Sequence, residues 1–316
     1  MSRIVRREFL KTSGLALAGF SMDPVTIFPK IMQSNFKLSL HPGAIGVVCD
    51  HIQLLDYAKR FKFDAITPLI DDLNAISSTK RKAYVKEMKR NNLSWDAAGL
   101  PVQFRSDERS FKMDLDLLKG RCEVLAEVGV SSMNTWIMPT HSSLTYRQNF
   151  DLHVFRLNKI ANIISNFNIK LGLEYVGPKT LMTSEKYSFI RTLSEVTELV
   201  ESIDHPSIAY QLDSFHFYCA KDSLADLAKL KPANIVTVDL NDAVIGRTAD
   251  DQLDWERALP LATGVIDLKP FLATLRDIGY KGPIRAEPFN KTLNAMNDEK
   301  AIELTIKSLR KSVALI

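Results

Sequence analysis

Short apolar and β-branched runs alternate eight times with longer amphipathic segments between Phe36 and the C-terminus. Such alternation is typical of parallel strands joined by crossover helices, so it predicts an α/β architecture. The strand-type runs cover residues 37–40, 65–69, 93–97, 132–137, 170–174, 208–212, 235–239 and 284–287. The helical patterns between them include residues 53–62, 115–128, 154–166, 192–203, 224–230 and 268–278.

Eight strand-helix units are the number that closes a (β/α)8 barrel, and 316 residues accommodate one barrel and a leader. An open doubly wound sheet has the same alternation, but it normally carries a glycine-rich loop after its first strand. Here that loop reads Leu40-His41-Pro42-Gly43-Ala44, without the glycine pattern. No internal repeat or low-complexity linker interrupts the series. We therefore predict a single TIM barrel domain over residues 33–316.

The composition is that of an ordinary globular protein, with 46% hydrophobic and 25% charged residues. The formal net charge is +4, and residues 1–30 contribute +3 of it, because five basic residues there outnumber two acidic ones. The remaining body carries only +1, far from the basic surface that a phosphate backbone requires, so no nucleic-acid partner is expected. The three cysteines are widely spaced and form no paired metal motif.

Residues 1–30 have the features of a leader. Arg6-Arg7-Glu8-Phe9-Leu10-Lys11 resembles a twin-arginine export signal, and a short apolar stretch follows at residues 12–22. That stretch is well below the ~20 residues of a membrane-spanning helix, so no integral membrane span is expected. An amphipathic N-terminal helix with two chance arginines is the alternative. We expect export to the periplasm or cell envelope, and a cytoplasmic location if the leader does not function.

Four successive strand-type runs end in a carboxylate, the fifth in Glu174, the sixth in Asp213, the seventh in Asp239 and the eighth in Glu287. In a parallel barrel the carboxyl ends of all strands meet at one mouth, where the active site lies. One such acid alone is commonly a helix N-cap or the partner of a nearby basic residue. Four buried together repel one another, and a divalent cation is the simplest compensation. An all-oxygen set favours Mg²⁺ or Mn²⁺ over zinc.

At these residues the chain resembles the sugar phosphate isomerase/epimerase superfamily, the xylose-isomerase-like TIM barrels. The most specific segments are LGLEYVGP at 171–178, LDSFH at 212–216, DLND at 239–242, GVIDL at 264–268 and IGYKGPIRAEP at 278–288. The resemblance implies that Glu174, Asp213 and Glu287 are metal ligands and that His216 contacts substrate oxygens. It also implies that the two glutamates are the catalytic acid/base pair. Because relatives are often dimers or tetramers, it further implies a homo-oligomer.

Two positions depart from the family pattern. The family usually has a histidine at the end of the seventh strand, where this chain has Asp239. The set of metal ligands therefore gains a negative charge. The change implies a harder metal, as in the all-carboxylate shell of xylose isomerase itself, or else weak binding or a degenerate site. Leu261 stands where relatives tend to have glycine after a proline, and that loop borders the mouth.

These features predict a metal-dependent sugar isomerase or epimerase that moves a proton next to a carbonyl through a metal-stabilised enediolate. Loss of a β-substituent from the same intermediate would instead make a dehydratase or lyase on a keto-sugar or 3-keto-glycoside. The alternative to an enzyme is a non-catalytic sugar-binding protein of the cell envelope. An apurinic endonuclease shares the barrel but builds a three-metal site with many histidines, and only His216 of the six histidines lies in a matching place.

Weaker candidates for substrate contact lie near other strand ends. They are His41, Trp136, His141, Lys179 and Arg247. Aromatic stacking on a sugar face and polar contacts to hydroxyls would suit such positions, although a residue of this kind alone is more often part of the packing or of a loop. The expected partner is a small-molecule sugar, and we expect it to be unphosphorylated because the sequence has no phosphate-cradling glycine loop.

Overall fold

A curled parallel sheet forms the centre of residues 36–316, the part of the chain that this computed structural model describes. Its strand segments run side by side in the order Ser94–Trp95, Ala65–Ile66, Lys37–Leu40, Pro283–Ala286, Ile235–Leu240, Ile208–Asp213, Lys170–Tyr175, Ser132–Ile137 and Ala98–Gly99. Only Asp96 and Ala97 separate the two outermost segments, so these belong to one strand and the sheet closes on itself. The predicted (β/α)8 barrel is confirmed. The leader predicted over residues 1–30 lies outside the described residues.

We number the barrel strands one to eight in chain order, the third being the one in two segments. Strands one and four have the predicted bounds, and strands five, six and seven each extend one residue beyond them. Strand two ends at Ile66 rather than 69, because Pro68 has no N–H group for the ladder. Strand eight ends at Ala286, so Glu287 directly follows it.

The lower interior of the barrel is closely packed and apolar. The register between strands six and seven shifts around Val236, and the side chain of this residue packs with Ala97 and Ala209. A Cβ atom on Gly172 would lie only 2.2 Å from the Val236 side chain, so strand five requires glycine there.

Helices cover the outside of the sheet. The α-helices are His51–Phe61, Ile70–Ala75, Ser78–Arg90, Glu108–Val128, Tyr146–Ile164, Lys179–Met182, Leu193–Ile203, Ser214–Ala220, Leu224–Leu227, Leu268–Asp277, Lys291–Asn294 and Asp298–Val313. Short 3-10 helices occur at Gly43–Ile45, Ser165–Phe167 and Pro232–Asn234, and an antiparallel pair joins Thr140–His141 to Tyr187–Ser188. Within residues 36–316, no helix combines the length and apolar character that crossing a bilayer requires.

Two helices begin earlier than their apolar periodicity predicted. The helix Glu108–Val128 starts after Asp107, whose carboxylate accepts hydrogen bonds from two backbone N–H groups of the first turn. The helix Tyr146–Ile164 starts after Thr145, which forms a capping box with Gln148. Capping satisfies the free N–H groups of the first turn. The polar first turns are therefore helical although they precede the apolar residues that gave the periodic signal.

Candidate active site

Four carboxylates lie at the mouth of the barrel, because strands five to eight are neighbours and each has an acid at or next to its C-terminal end. Glu174, Asp213 and Asp239 are 6%, 1% and 0% exposed. Asp213 and Asp239 face each other in register between strands six and seven. Glu174, Asp239 and Glu287 each place a carboxylate oxygen within 4.8 Å of the other two. The structure thus brings together all four residues that the sequence singled out.

His216 joins this cluster through a short helix. Asp213 caps the helix Ser214–Ala220 by accepting a 2.7 Å hydrogen bond from the backbone N–H of Phe215. One turn later, His216 Nε2 lies 3.9 Å from both Glu174 Oε1 and Asp213 Oδ2. Burial, and secondarily a nearby arginine, lowers the pKa of His216 well below its usual value, so the ring is neutral at pH 7.

A buried arginine that the sequence analysis missed, Arg257, lies among these groups. Its Nη1 donates to Asp213 Oδ2 at 2.8 Å and to Glu287 Oε2 at 3.4 Å. Its Nη2 lies 3.4 Å from His216 Nε2 and donates to Asp254 Oδ1 at 2.7 Å. A single arginine within the long loop after strand seven has no periodic signal, and for that reason the sequence did not reveal it.

A second missed arginine, Arg285, lies below the cluster. Its Nε and Nη2 donate to the two oxygens of Asp239 at 2.7 and 3.1 Å. Gln211 Nε2 also donates to Asp239 Oδ2 at 2.7 Å, and Arg285 Nη1 lies 3.8 Å from Asp96 Oδ2. A signal was available here, since Arg285 precedes Glu287 by two residues and alternate residues of a strand share a face.

Burial of several carboxylates together raises their pKa values. Burial, followed by repulsion from Glu287 and Asp239, raises the pKa of Glu174 well above its usual value. Burial, followed by repulsion from Asp239, raises the pKa of Glu287 to about 8, although nearby arginines oppose the shift. Burial also raises the pKa of Asp213 to about 7 against the attraction of Arg257. Without a cation, the cluster therefore retains protons near neutral pH.

The residues of the cluster fit a divalent cation. Glu174 Oε1 is buried and has no hydrogen-bond partner within residues 36–316. A buried carboxylate oxygen needs a proton or a cation to offset its lost hydration. Glu174 belongs to two groups whose donor atoms lie within 4.8 Å of one another, one with Asp213 and His216 and one with Asp239 and Glu287, and these residues would hold the ion. Both oxygens of Asp213 and of Asp239 already accept hydrogen bonds. His216 offers a nitrogen in the group that it forms with Glu174 and Asp213.

Three of the weaker candidates lie around the mouth. His41 follows strand one, and burial together with the charge of Arg285 lowers its pKa well below the usual value. Trp136 faces Glu174 in register between strands four and five and is 48% exposed. His141 lies in the antiparallel pair after strand four and lines a cavity with Trp136, to one side of the carboxylates.

The remaining two candidates are engaged in surface ion pairs. Lys179 Nζ lies 3.6 Å from Asp250, and Arg247 Nη2 lies 2.6 Å from Glu256. Arg247, Asp250 and Glu256 belong to the loop after strand seven, and the pair of Asp250 with Lys179 links this loop to the helix Lys179–Met182. The structure does not bring these two side chains into the carboxylate cluster, and their contact with substrate stays a prediction.

Comparison with known proteins gives the same architecture and a set of relatives. The model of the xylose isomerase-like TIM barrel family matches residues 55–312. An inosose isomerase from Bacillus licheniformis is 25% identical over 199 residues, which are 62% of this chain and 67% of that protein. A 3-dehydroshikimate dehydratase from Pseudomonas putida is 33% identical over 108 residues, which are 34% of this chain and 17% of that protein. The crystal structure of the IolI protein with a bound zinc atom has a TM-score of 0.74 at 20% identity, covering 88% of this chain and 98% of that one.

Proposed function

This chain belongs to the xylose isomerase-like TIM barrel family, and on that basis we propose that it is a metal-dependent sugar isomerase or epimerase. Its reaction is the transfer of a proton on a carbon next to a sugar carbonyl. The similarity to an inosose isomerase supports a polyhydroxylated ketone or aldehyde as the substrate class. The substrate is unphosphorylated, as expected from the sequence.

The observation that carries this proposal is the pair of neighbouring glutamates with raised pKa values, Glu174, which is buried, and Glu287, whose side chain is 14% exposed. Burial is the first cause in both cases, and it brings the pKa of Glu287 to about 8. A carboxylate of ordinary pKa is a weak base at pH 7, whereas one whose pKa is near the working pH can both accept and return a proton. Strands five and eight hold the two groups on different sides of the mouth.

The proton transfer balances as follows. One glutamate accepts the proton from the carbon next to the carbonyl, and the C–H electron pair becomes the double bond of an enediolate. Return of a proton from the other glutamate to the opposite face inverts the carbon, whereas return to the neighbouring carbon interconverts aldose and ketose. Arg257 lies beside Glu287, and the neutral His216 lies beside Glu174. Both side chains are suited to stabilise the substrate oxygens, which gain negative charge in this step.

The cofactor that we propose is Mn²⁺ or Mg²⁺, held by Glu174, Asp213 and Glu287 with Asp239 in reach. A divalent cation polarises the carbonyl and offsets the negative charge that develops on its oxygen, an effect worth several kcal/mol. Three or four carboxylates make an oxygen-rich set that suits these hard ions. Zinc is the alternative, because His216 adds a nitrogen donor and the IolI structure holds zinc.

A second candidate function is a dehydratase. The similarity to a 3-dehydroshikimate dehydratase over 108 residues favours it. In that reaction the same glutamate removes the proton, and the enediolate then expels a β-hydroxyl group, which leaves as water after protonation by the second acid. The two functions differ in their product, since only the dehydratase forms a new carbon-carbon double bond.

Solvent-deuterium exchange tests the proposal. The purified chain, supplied with Mn²⁺ or Mg²⁺, is incubated in D₂O with a panel of ketoses, aldoses and inososes, and C–H loss is followed by NMR. We expect exchange on at least one substrate, lost by roughly 10²-fold or more in Glu287→Gln. Glu185→Gln, a change at an exposed glutamate, is the matched control.

Each outcome of that experiment has a meaning. A new alkene signal with loss of water would identify the dehydratase. Binding without exchange across the panel would favour a sugar-binding protein, and full activity in Glu287→Gln would refute the acid/base assignment. In a separate assay, cleavage of abasic DNA would favour the apurinic endonuclease over both proposed functions.

A further inference from the structure

A cavity of about 320 Å³ lies beside the mouth, between the end of strand four and the helix Tyr146–Ile164. Its polar and aromatic wall comprises Arg105, Trp136, Thr140, His141, Asn149 and His153. This volume is at the lower end of the range for small-molecule pockets. Trp136 faces Glu174 in register, so the cavity and the carboxylate cluster adjoin along strands four and five.

Arg105 gives this cavity a positive charge that no acidic side chain of residues 36–316 neutralises. Its Nη1 donates to the Thr135 hydroxyl at 3.1 Å and to the Trp136 carbonyl at 2.7 Å, which leaves Nε and Nη2 as free donors. The guanidinium carbon lies 4.0 Å from the centre of the Trp136 ring. Burial lowers the pKa of Arg105 to about 10, so the group remains charged at neutral pH.

The two histidines supply one acceptor and one donor. His153 is 4% exposed, and its Nδ1 must donate, because it lies 2.8 Å from the carbonyl oxygen of Asn149. Burial lowers the pKa of His153 to about 4, so the ring is neutral, and its Nε2 is a buried acceptor that has no partner in the described part of the chain. His141 Nδ1 accepts from the backbone N–H groups of Ser143 and Leu144, which leaves its proton on Nε2 as a donor.

We propose that this cavity binds the carboxylate-bearing part of an acidic sugar. Arg105 and the Nε2–H of His141 bind the carboxylate, His153 Nε2 accepts from a hydroxyl, and the exposed part of Trp136 packs against the C–H face of the ligand. The guanidinium of Arg105, which no acidic side chain of residues 36–316 neutralises, favours an anionic ligand over a neutral sugar. The buried acceptor favours a hydroxylated ligand over a simple carboxylate. The assignment of this ligand as part of the substrate rests on the proposed function.

Tryptophan fluorescence tests this binding directly and needs no turnover. The full chain is titrated with D-glucuronate and D-galacturonate, and with the neutral partners D-glucose and D-galactose. We expect a hexuronate to bind at least about tenfold more tightly than its neutral partner, a difference of ~1.4 kcal/mol. In Arg105→Gln that preference falls to within about twofold, whereas Arg109→Gln, at an exposed arginine four residues away, retains it. Trp136→Phe should remove most of the signal.

The outcomes separate this inference from the proposed function. Equal affinity for acidic and neutral sugars in the wild type, or a full preference in Arg105→Gln, would overturn the assignment of the cavity. The wild-type comparison is decisive even if the Arg105 variant does not fold. Hexuronate binding without deuterium exchange would instead count against the proposed reaction and leave the cavity assignment intact.

Discussion

Arg285 and Asp239 form a two-point ion pair inside the barrel, with N–O distances of 2.7 and 3.1 Å and exposures of 1% and 0%. The pair explains how the chain carries an anion at the end of strand seven, where the resemblance led us to expect histidine. The guanidinium of Arg285 neutralises the added carboxylate from below, and Glu174 Oε1 keeps no hydrogen-bond partner among residues 36–316. Arg285 therefore has a positioning role under the site.

Removing one partner of this pair should destabilise the fold strongly. Arg285→Met or Asp239→Asn leaves a buried charged or polar group without its partner, so each should lower the free energy of unfolding by about 3–5 kcal/mol. The double variant should lose at least ~1 kcal/mol less than the sum of the two. Urea unfolding of the metal-free protein measures all three.

An exposed pair of equal length provides the control. Arg60 and Glu299 are 2.7 Å apart with half-exposed side chains, and Arg60→Met should therefore change stability far less than Arg285→Met does. If Arg285→Met proved as mild as Arg60→Met, the buried pair would have no structural importance.

Glu174→Gln should have opposite effects without and with metal. Without metal it removes a buried carboxylate that its neighbours repel, so the melting temperature at pH 8 should rise. With Mn²⁺ at about 100 times its Kd, the wild type should gain ~2.7 kcal/mol, and the variant should lose most of that gain. Thermal unfolding with and without chelator measures both effects. A variant with the full metal response would exclude Glu174 as a ligand.

The stability of the metal-free protein should fall as pH rises toward 8. Burial raises the pKa of Glu287 from 4.5 to about 8 and that of Asp213 from 3.8 to about 7, so the folded state binds protons more tightly than the unfolded state. This contribution is fully present below the unfolded pKa values and is lost as pH passes through the folded ones.

Urea unfolding in chelator between about pH 5 and pH 8 checks that prediction. Glu287→Gln should flatten the profile, because glutamine has no proton to release, whereas Glu185→Gln should leave the profile unchanged. A wild-type stability that increased across this range would contradict the raised pKa values.

Leu261 has a φ of +62°, in the left-handed region that favours glycine. This is the position where the resemblance led us to expect glycine after a proline, and the backbone retains the geometry that glycine would adopt freely. Leu261→Ala keeps the strain, whereas Leu261→Gly relieves it, so the glycine variant should be more stable than the alanine variant by about 1 kcal/mol. Chemical unfolding of the two variants gives the difference. Equal stabilities would mean that the loop relaxes around the alanine.

Most of the barrel was predictable because its signals are local. The period-two runs of strands one and four gave their bounds directly, and the errors elsewhere have local causes. Pro68 shortens strand two, and the caps at Asp107 and Thr145 start two helices before their apolar stripes begin. The four acids of the mouth were also predictable, because the carboxyl ends of parallel strands converge once the barrel is recognised.

The groups that balance those acids were not predictable. Arg257 reaches Asp213 across 44 residues, and Arg285 reaches Asp239 across 46. The Arg257 contact leaves no pattern in the chain, because it depends on where a loop lies in space. The spacing of Arg285 and Glu287 places Arg285 on the inner face of its strand, but its pairing with Asp239 depends on which strand is the neighbour. His141 was predictable as a residue beside the mouth from its place after strand four, but the cavity that it shares with Arg105 was not.

The sequence alone determined the barrel and the four carboxylates at its mouth, because both follow from periodicities that each segment carries by itself. The tertiary structure decided which positive charges meet those acids, which oxygen remains without a partner, and which side chains share a second cavity. These features depend on contacts between distant segments and on removal of charge from water, and both exist only after the chain has folded.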